Sequence, residues 1–113
     1  MSPDDLVRLR HMAEAADAAL RFSKGRTRAD LDADDMLRFA LTRAIEIIGE
    51  AAGRVSAETR SQTPGIAWTV IVGMRNRLVH AYFDVDSDIL WNTVAQSLPS
   101  LAGELKRIVD KAG

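Results

Sequence analysis

Apolar residues return along this chain at steps of three and four. Leu6, Leu9, Ala13, Ala16 and Leu20 form the first such series, the single stripe of an amphipathic helix. Ser2-Pro3-Asp4-Asp5 announces its start, with an N-cap serine, a proline at the first helical position and acids at the positive end of the dipole. Gly25 closes it, and Arg26 to Leu31 follows as a basic, turn-like connection. A second start signal, Asp32-Ala33-Asp34-Asp35, leads into the ladder Leu37, Leu41, Ala44, Ile48, Ala51 and Val55, about five turns of helix. Met36, Ala40 and Ile47 add a second stripe, so this helix is expected to touch neighbours on two sides. Gly49 and Gly53 sit within it, each at a cost of about 1 kcal/mol relative to alanine, which points to close backbone approach inside a bundle or across a dimer.

Ser56 to Gly65 is polar, with Thr63-Pro64-Gly65 as turn punctuation. A third helix is expected from near Ile66, carrying Trp68, Val70, Ile71 and Val72 into the core. Asp84-Val85-Asp86-Ser87-Asp88 then breaks the pattern and supplies caps. Beyond it Leu90, Val94, Leu98, Leu101, Leu105 and Ile108 run in phase through Pro99, as a kinked helix or two helices meeting at the proline. No segment alternates with period two. The expected class is all-α, a four- to five-helix up-down bundle formed by one domain over residues 1–113.

The balance of 15 basic against 16 acidic residues leaves a net charge of -1, so no global field argues for nucleic acid or an anionic membrane. The local balance differs. Between Arg54 and Tyr82 stand Arg54, Arg60, Arg75 and Arg77 against one acid, Glu58, a patch suited to phosphates and equally consistent with a solvated surface. The absence of cysteine removes disulfides, thiolate zinc sites and cysteine nucleophiles. The acidic amino terminus lacks the apolar core of a signal peptide, and the longest mostly apolar run, Ile66 to Met74, falls far short of the ~20 residues of a membrane span. A soluble cytoplasmic protein is expected.

The candidate chemistry gathers in Gly73-Met74-Arg75-Asn76-Arg77-Leu78-Val79-His80-Ala81-Tyr82-Phe83-Asp84. At helical pitch Asn76 and His80 share a face, whereas Arg75 and His80 stand about 140° apart. One ideal helix therefore cannot aim both at the same atom: either the helix ends or distorts, or a second copy of the chain completes the site. Cleaving RNA without a metal requires a base for the 2′-hydroxyl, an acid for the leaving 5′-oxygen and positive charge on the phosphorane. His80 and Arg75 are the residue types for those parts, and Asn76 for orienting the imidazole or holding a phosphate. Arg77 is a further candidate phosphate contact, and Tyr82 offers a hydroxyl. From spacing alone, a histidine beside two arginines at a helix end is more often structural, and the same holds for Tyr82 as a core-edge hydrogen bonder.

Other chemistries fail on their own terms. Asp84, Asp86 and Asp88 resemble the opening of a calcium-binding loop, but its sixth and twelfth positions would be Ile89 and Ala95, where glycine and glutamate are needed. Capping explains these aspartates better. His11 is remote from His80, and no H-E-x-x-H spacing exists, so no metal or other cofactor is expected. Trp68 and Trp91 are most simply core or interface anchors.

Taken together, Ile47-Ile48-Gly49-Glu50-Ala51-Ala52, Pro64 with Trp68, the segment Gly73 to Phe83, Trp91-Asn92-Thr93-Val94 and Leu98-Pro99 with Leu101 resemble the HepT-like branch of the HEPN superfamily across essentially the whole chain. That resemblance implies a small helical homodimer acting as a metal-independent endoribonuclease, the toxin of a type VII toxin–antitoxin pair. It implies an MntA-type nucleotidyltransferase as antitoxin, catalysis by Arg75 and His80 with Asn76 beside them, and Tyr82 as the residue that receives AMP. Dimerisation would bring two copies of the motif to one cleft. Ala81 departs from the glycine common at that position, without removing a catalytic group. Two other classes of function compete with this expectation: a non-catalytic substrate- or nucleotide-binding partner of a minimal nucleotidyltransferase, and a purely structural dimeric bundle.

Overall fold

Helix α1, Pro3–Ser23, begins as its start signal predicts: the Ser2 hydroxyl accepts the Asp5 amide at 3.1 Å, and Pro3 occupies the first turn. The computed structural model describes residues 1–81 and 84–112, with the backbone alone at residues 79–81 and 84. Gly25, at a φ of +74°, turns the chain away after α1, a left-handed conformation that glycine adopts without steric cost. The connection expected at Arg26 to Leu31 is part turn and part helix, because α2, Asp30–Ala33, forms one turn that buries Leu31. Asp34 caps α3, Asp35–Ala52, by accepting the Leu37 amide at 3.0 Å. The polar segment Ser56 to Gly65, for which only the turn at Thr63-Pro64-Gly65 was expected, contains the short helix α4, Ala57–Gln62, capped by Ser56. Helices α5, Trp68–Val72, and α6, Met74–Leu78, follow, then the strands β1, Val79–Ala81, and β2, Asp84–Val85. Helix α7, Ser87–Asn92, starts on the Asp86 carboxylate, as the capping explanation of these aspartates requires. A π-helical turn, Thr93–Ser97, joins it to α8, Leu98–Ala112.

The result is the expected all-α class, with one departure of strand type among the described residues: an antiparallel ladder in which Val79 pairs with Val85 and Ala81 with Asp84. Helix α1 packs against both α3 and α8. Its buried stripe is Leu9, Met12, Ala16 and Ala19, with Asp5 and Ala15. Leu6, Ala13 and Leu20 are only partly buried, so the helix is rotated by a fraction of a turn from the expected stripe. The α3 ladder is buried as expected, from Leu37 to Val55. Its second stripe is not: Met36 is 83% exposed and Ala40 and Ile47 are half-buried, while Ile45 and Ala52, on another face, are fully buried. At Gly49 an added Cβ would lie 3.6 Å from the Ile71 carbonyl oxygen, so the close approach expected there is made by α5. Gly53 instead caps α3, and an added Cβ would meet only carbonyls of its own helix.

The series from Leu90 to Ile108 is buried throughout. Pro99 cannot donate to a carbonyl one turn back. The chain accommodates it with the π-turn, in which the Leu98 amide reaches the Thr93 carbonyl, so a helix with a local widening replaces a sharp kink.

One buried carboxylate ties the first helix to the middle of the chain. Asp5 accepts hydrogen bonds from the Ser56 hydroxyl at 2.6 Å, the Ser56 amide at 3.0 Å and the Thr59 hydroxyl at 2.6 Å. These donors favour the charged form and lower its pKa from 3.8 to about 2, the Ser56 hydroxyl most. Because the folded pKa lies below the unfolded one, this contribution to stability is complete above 3.8 and disappears as the pH falls through about 2. Asp5→Ala should leave three donors, the buried Thr59 hydroxyl among them, without this acceptor and lower the thermal midpoint at neutral pH by about 10 °C. Thermal melts from pH 7 to pH 2 should show the gap between variant and parent closing in acid.

Candidate functional site

The site is built on a helix too short to stand alone. Gly73 ends α5, its amide donating to the Thr69 carbonyl at 3.3 Å, and α6 adds little more than one turn before Leu78. Met74 and Leu78, four residues apart, are buried, at 4% and 0% exposure, and they pin α6 to the bundle on one side. Arg75, Asn76 and Arg77 are thereby left on the exposed side. At Leu78 the backbone bonding changes: its carbonyl accepts the Asp86 amide at 2.9 Å, and the next three residues are extended in β1.

The helix therefore ends within the motif, the first of the two solutions to its angular problem. Arg75 and Asn76 lie in the helical turn and His80 in the strand beyond it, so the 140° projection no longer applies, and the helical face expected for Asn76 and His80 together is not formed. The side chain of His80 and the whole of Tyr82 lie outside the described residues.

Arg75 extends toward α3, where its Nε donates to Glu46 Oε2 at 3.2 Å. The guanidinium side chain remains 47% exposed and Glu46 24% exposed, so the pair is a positioning contact in a solvent-screened setting. Arg77 extends the other way. Its Nη2 donates to the Val70 carbonyl at 3.3 Å, and the residue lines a cavity of about 190 Å³ together with Thr93, Ser97 and Ser100. Asn76 is exposed between them. The structure therefore brings Arg75 and Arg77 onto one exposed turn without aiming them at a common point.

The arginine-rich patch also divides. Arg60 is scaffold: it donates to the Val55 and Ala52 carbonyls at 3.1 and 2.8 Å, satisfying the end of α3, and lies 5.5 Å over the Trp68 ring. Trp68 is itself buried, its indole N–H donating to the Thr63 hydroxyl at 3.2 Å, which fits the core-anchor reading. Glu46 was not legible as a site residue from the sequence, because its pairing with Arg75 spans 29 positions and carries no local signal. Among the described residues no group of three His, Asp or Glu gathers as metal ligands, and no helix is long and apolar enough to cross a membrane. A cavity of about 550 Å³ between α1 and α8 is lined by residues such as Arg10, Ala13, Lys106 and Val109, none of them in the motif.

The helical bundle thus exposes an arginine-bearing turn immediately ahead of the strand that holds His80. The family model for ribonuclease HepT-like proteins matches residues 12–108. The chain is 37% identical over 100 residues to a protein of Thermococcus cleftensis named "Probable ribonuclease HepT", covering 88% of this chain and 91% of that one. It is 34% identical over 93 residues to a candidate RNase of Methanocaldococcus jannaschii, covering 82% and 85%, and 34% identical over 103 residues to a candidate RNase of Caldanaerobacter subterraneus, covering 91% and 92%. No solved structure matches. The chain belongs to the HepT-like ribonuclease family.

An exposed ion pair contributes at most about 1 kcal/mol to stability. Arg75→Ala should therefore fold normally and shift the thermal midpoint by no more than about 4 °C, as measured by circular dichroism. A loss several times larger would make Arg75 a structural residue.

Proposed function

We propose that this HepT-like ribonuclease cleaves RNA internally without a metal, as a homodimer, and that Arg75 and His80 carry the reaction. The observation that supports this most is the exposed α6 turn, which presents Arg75 directly ahead of the strand that bears His80, in a chain of a ribonuclease family. In the proposed step the 2′-oxygen attacks the adjacent phosphorus while the bond from phosphorus to the 5′-oxygen breaks. An imidazole of His80 takes the 2′-hydroxyl proton, and a proton is returned to the departing 5′-oxygen; two subunits would supply two imidazoles. Arg75 offsets the charge that accumulates on the phosphorane oxygens. Asn76 orients the imidazole or the phosphate, and Arg77 contacts a neighbouring phosphate.

Glu46 fits this reading as the resting partner of Arg75. It keeps the guanidinium extended along α3, and an arriving phosphate takes its place. The exposed apolar side chains Met36 and Phe39 on α3, at 83% and 48% exposure, support a second copy of the chain, since apolar surface of this kind is commonly covered by a partner. Tyr82, two residues beyond His80, is the proposed acceptor of AMP from an MntA-type nucleotidyltransferase antitoxin. The added phosphate would place negative charge beside the cations that hold RNA and exclude it. On this reading the protein is the toxin of a type VII pair, acting in the cytoplasm.

Purified protein incubated with RNA in EDTA should cut it, and His80→Ala should lower the rate by at least about 100-fold; equal cutting by the two proteins would remove the nuclease assignment from this segment. Absence of cutting together with a stable, transferase-supporting complex would favour the non-catalytic partner instead. Co-expression with the transferase should raise the intact mass in steps of one AMP. Those steps should be missing in Tyr82→Phe.

A further inference from the structure

Outside the motif, the outer face of α3 carries a second accumulation of charge. Glu46 holds Arg75 at 3.2 Å; one turn further on, Glu50 is held by Arg43 at 3.4 Å; Arg54 follows, exposed, just past the end of the helix. Opposite Arg54, helix α1 brings up Arg8 and His11. Arg8, His11, Ile47, Glu50, Ala51 and Arg54 enclose a cavity of about 200 Å³. Glu50 is its single carboxylate and is engaged by Arg43, so the cavity holds two arginines and a histidine against one acid already in a pair.

The Nε of Arg8 is buried and has no hydrogen-bond partner among the described residues. A guanidinium N–H removed from water without an acceptor is costly, and the acid nearest to it in sequence, Asp5, is turned into the core, where it accepts from Ser56 and Thr59. The donors in the cavity thus outnumber the acceptors that the chain provides. An anion with several acceptor oxygens, of phosphodiester size, matches the remaining N–H groups of Arg8 and Arg54 at this cavity.

We infer that this cavity is a phosphate subsite for RNA: it holds a backbone phosphate of the same strand whose scissile phosphate lies at Arg75. The inference rests on the ribonuclease reading for the identity of the strand. Arg54 lies eight residues on from Glu46, just past the end of α3, so the two sites hold phosphates a few nucleotides apart along the α3 side of the molecule. The contact is to the backbone and therefore adds affinity without base preference.

The test measures binding, on a His80→Ala background that keeps the RNA intact. A single-stranded RNA of about 12 nucleotides is titrated at several salt concentrations. Arg54→Ala should weaken binding about fivefold and reduce the slope of log affinity against log salt by about 0.7, the value for one lost phosphate contact. Arg8→Gln should do at least the same, and Arg54→Glu should do more. Arg10→Ala, which removes a like charge from another face of α1, should keep the parent affinity and slope. Unchanged binding in both Arg54 variants, or an equal loss in Arg10→Ala, would overturn the subsite. Arg54 is exposed, so its variants decide the matter even if Arg8→Gln does not fold. Failure of the ribonuclease reading shows separately, as a wild-type protein that does not cut.

Discussion

Leu78 has no exposed surface, and its carbonyl oxygen accepts the Asp86 amide at 2.9 Å. Those two facts stop α6. A leucine that must be buried fixes the rotation of the helix, and a carbonyl already engaged by a later segment is withdrawn from helical bonding. The chain then has to continue extended, with Val79 opposite Val85. Everything exposed on the turn before it, Arg75, Asn76 and Arg77, is oriented by Met74 and Leu78 beneath. The site is a consequence of anchoring from below, and a five-residue helix would not persist without that anchoring.

The positive charge that composition places around the motif is divided by the fold into separate tasks. Arg60 is used up on the end of α3 and the face of Trp68. Arg77 turns back to the Val70 carbonyl, while Arg75 is drawn to Glu46. Arg54 lines a cavity with Arg8 and His11 of α1. An arginine near a functional segment in sequence is thus a poor guide to its role, because a guanidinium reaches far and is taken by whichever carbonyl or carboxylate the fold presents.

Long-period information was legible in the sequence. The Ser2 and Asp34 caps, the α3 ladder, the Asp86 cap and the apolar series through Pro99 all rest on local spacing and on capping chemistry, and all are present. Short elements escaped. Helices α2 and α4 have too few residues to display a period, and Val70 and Val72 lie on a five-residue helix with one buried face, so at 51% and 39% exposure they remain outside the core. The stripe on α1 was displaced because alanine fits either side of a helix and Asp5 goes inward to meet Ser56 and Thr59. At the site, the conflict between one ideal helix and the spacing of Arg75 and His80 was readable, with a break in the helix as one of two answers; Glu46, which meets Arg75 only through the tertiary fold, was not.

If the turn ahead of His80 does the chemistry assigned to it, the nucleophile is the 2′-oxygen of the substrate, and the protein supplies only proton transfer and positive charge. The most direct measurement compares two RNAs that differ by a single 2′-deoxy nucleotide at a mapped cleavage position, in chelator, with the product ends identified. Cleavage should vanish at the deoxy position alone, and the all-ribose RNA should yield a 2′,3′-cyclic phosphate and a free 5′-hydroxyl. Cutting at the deoxy position, or products that carry a 5′-phosphate, would contradict it.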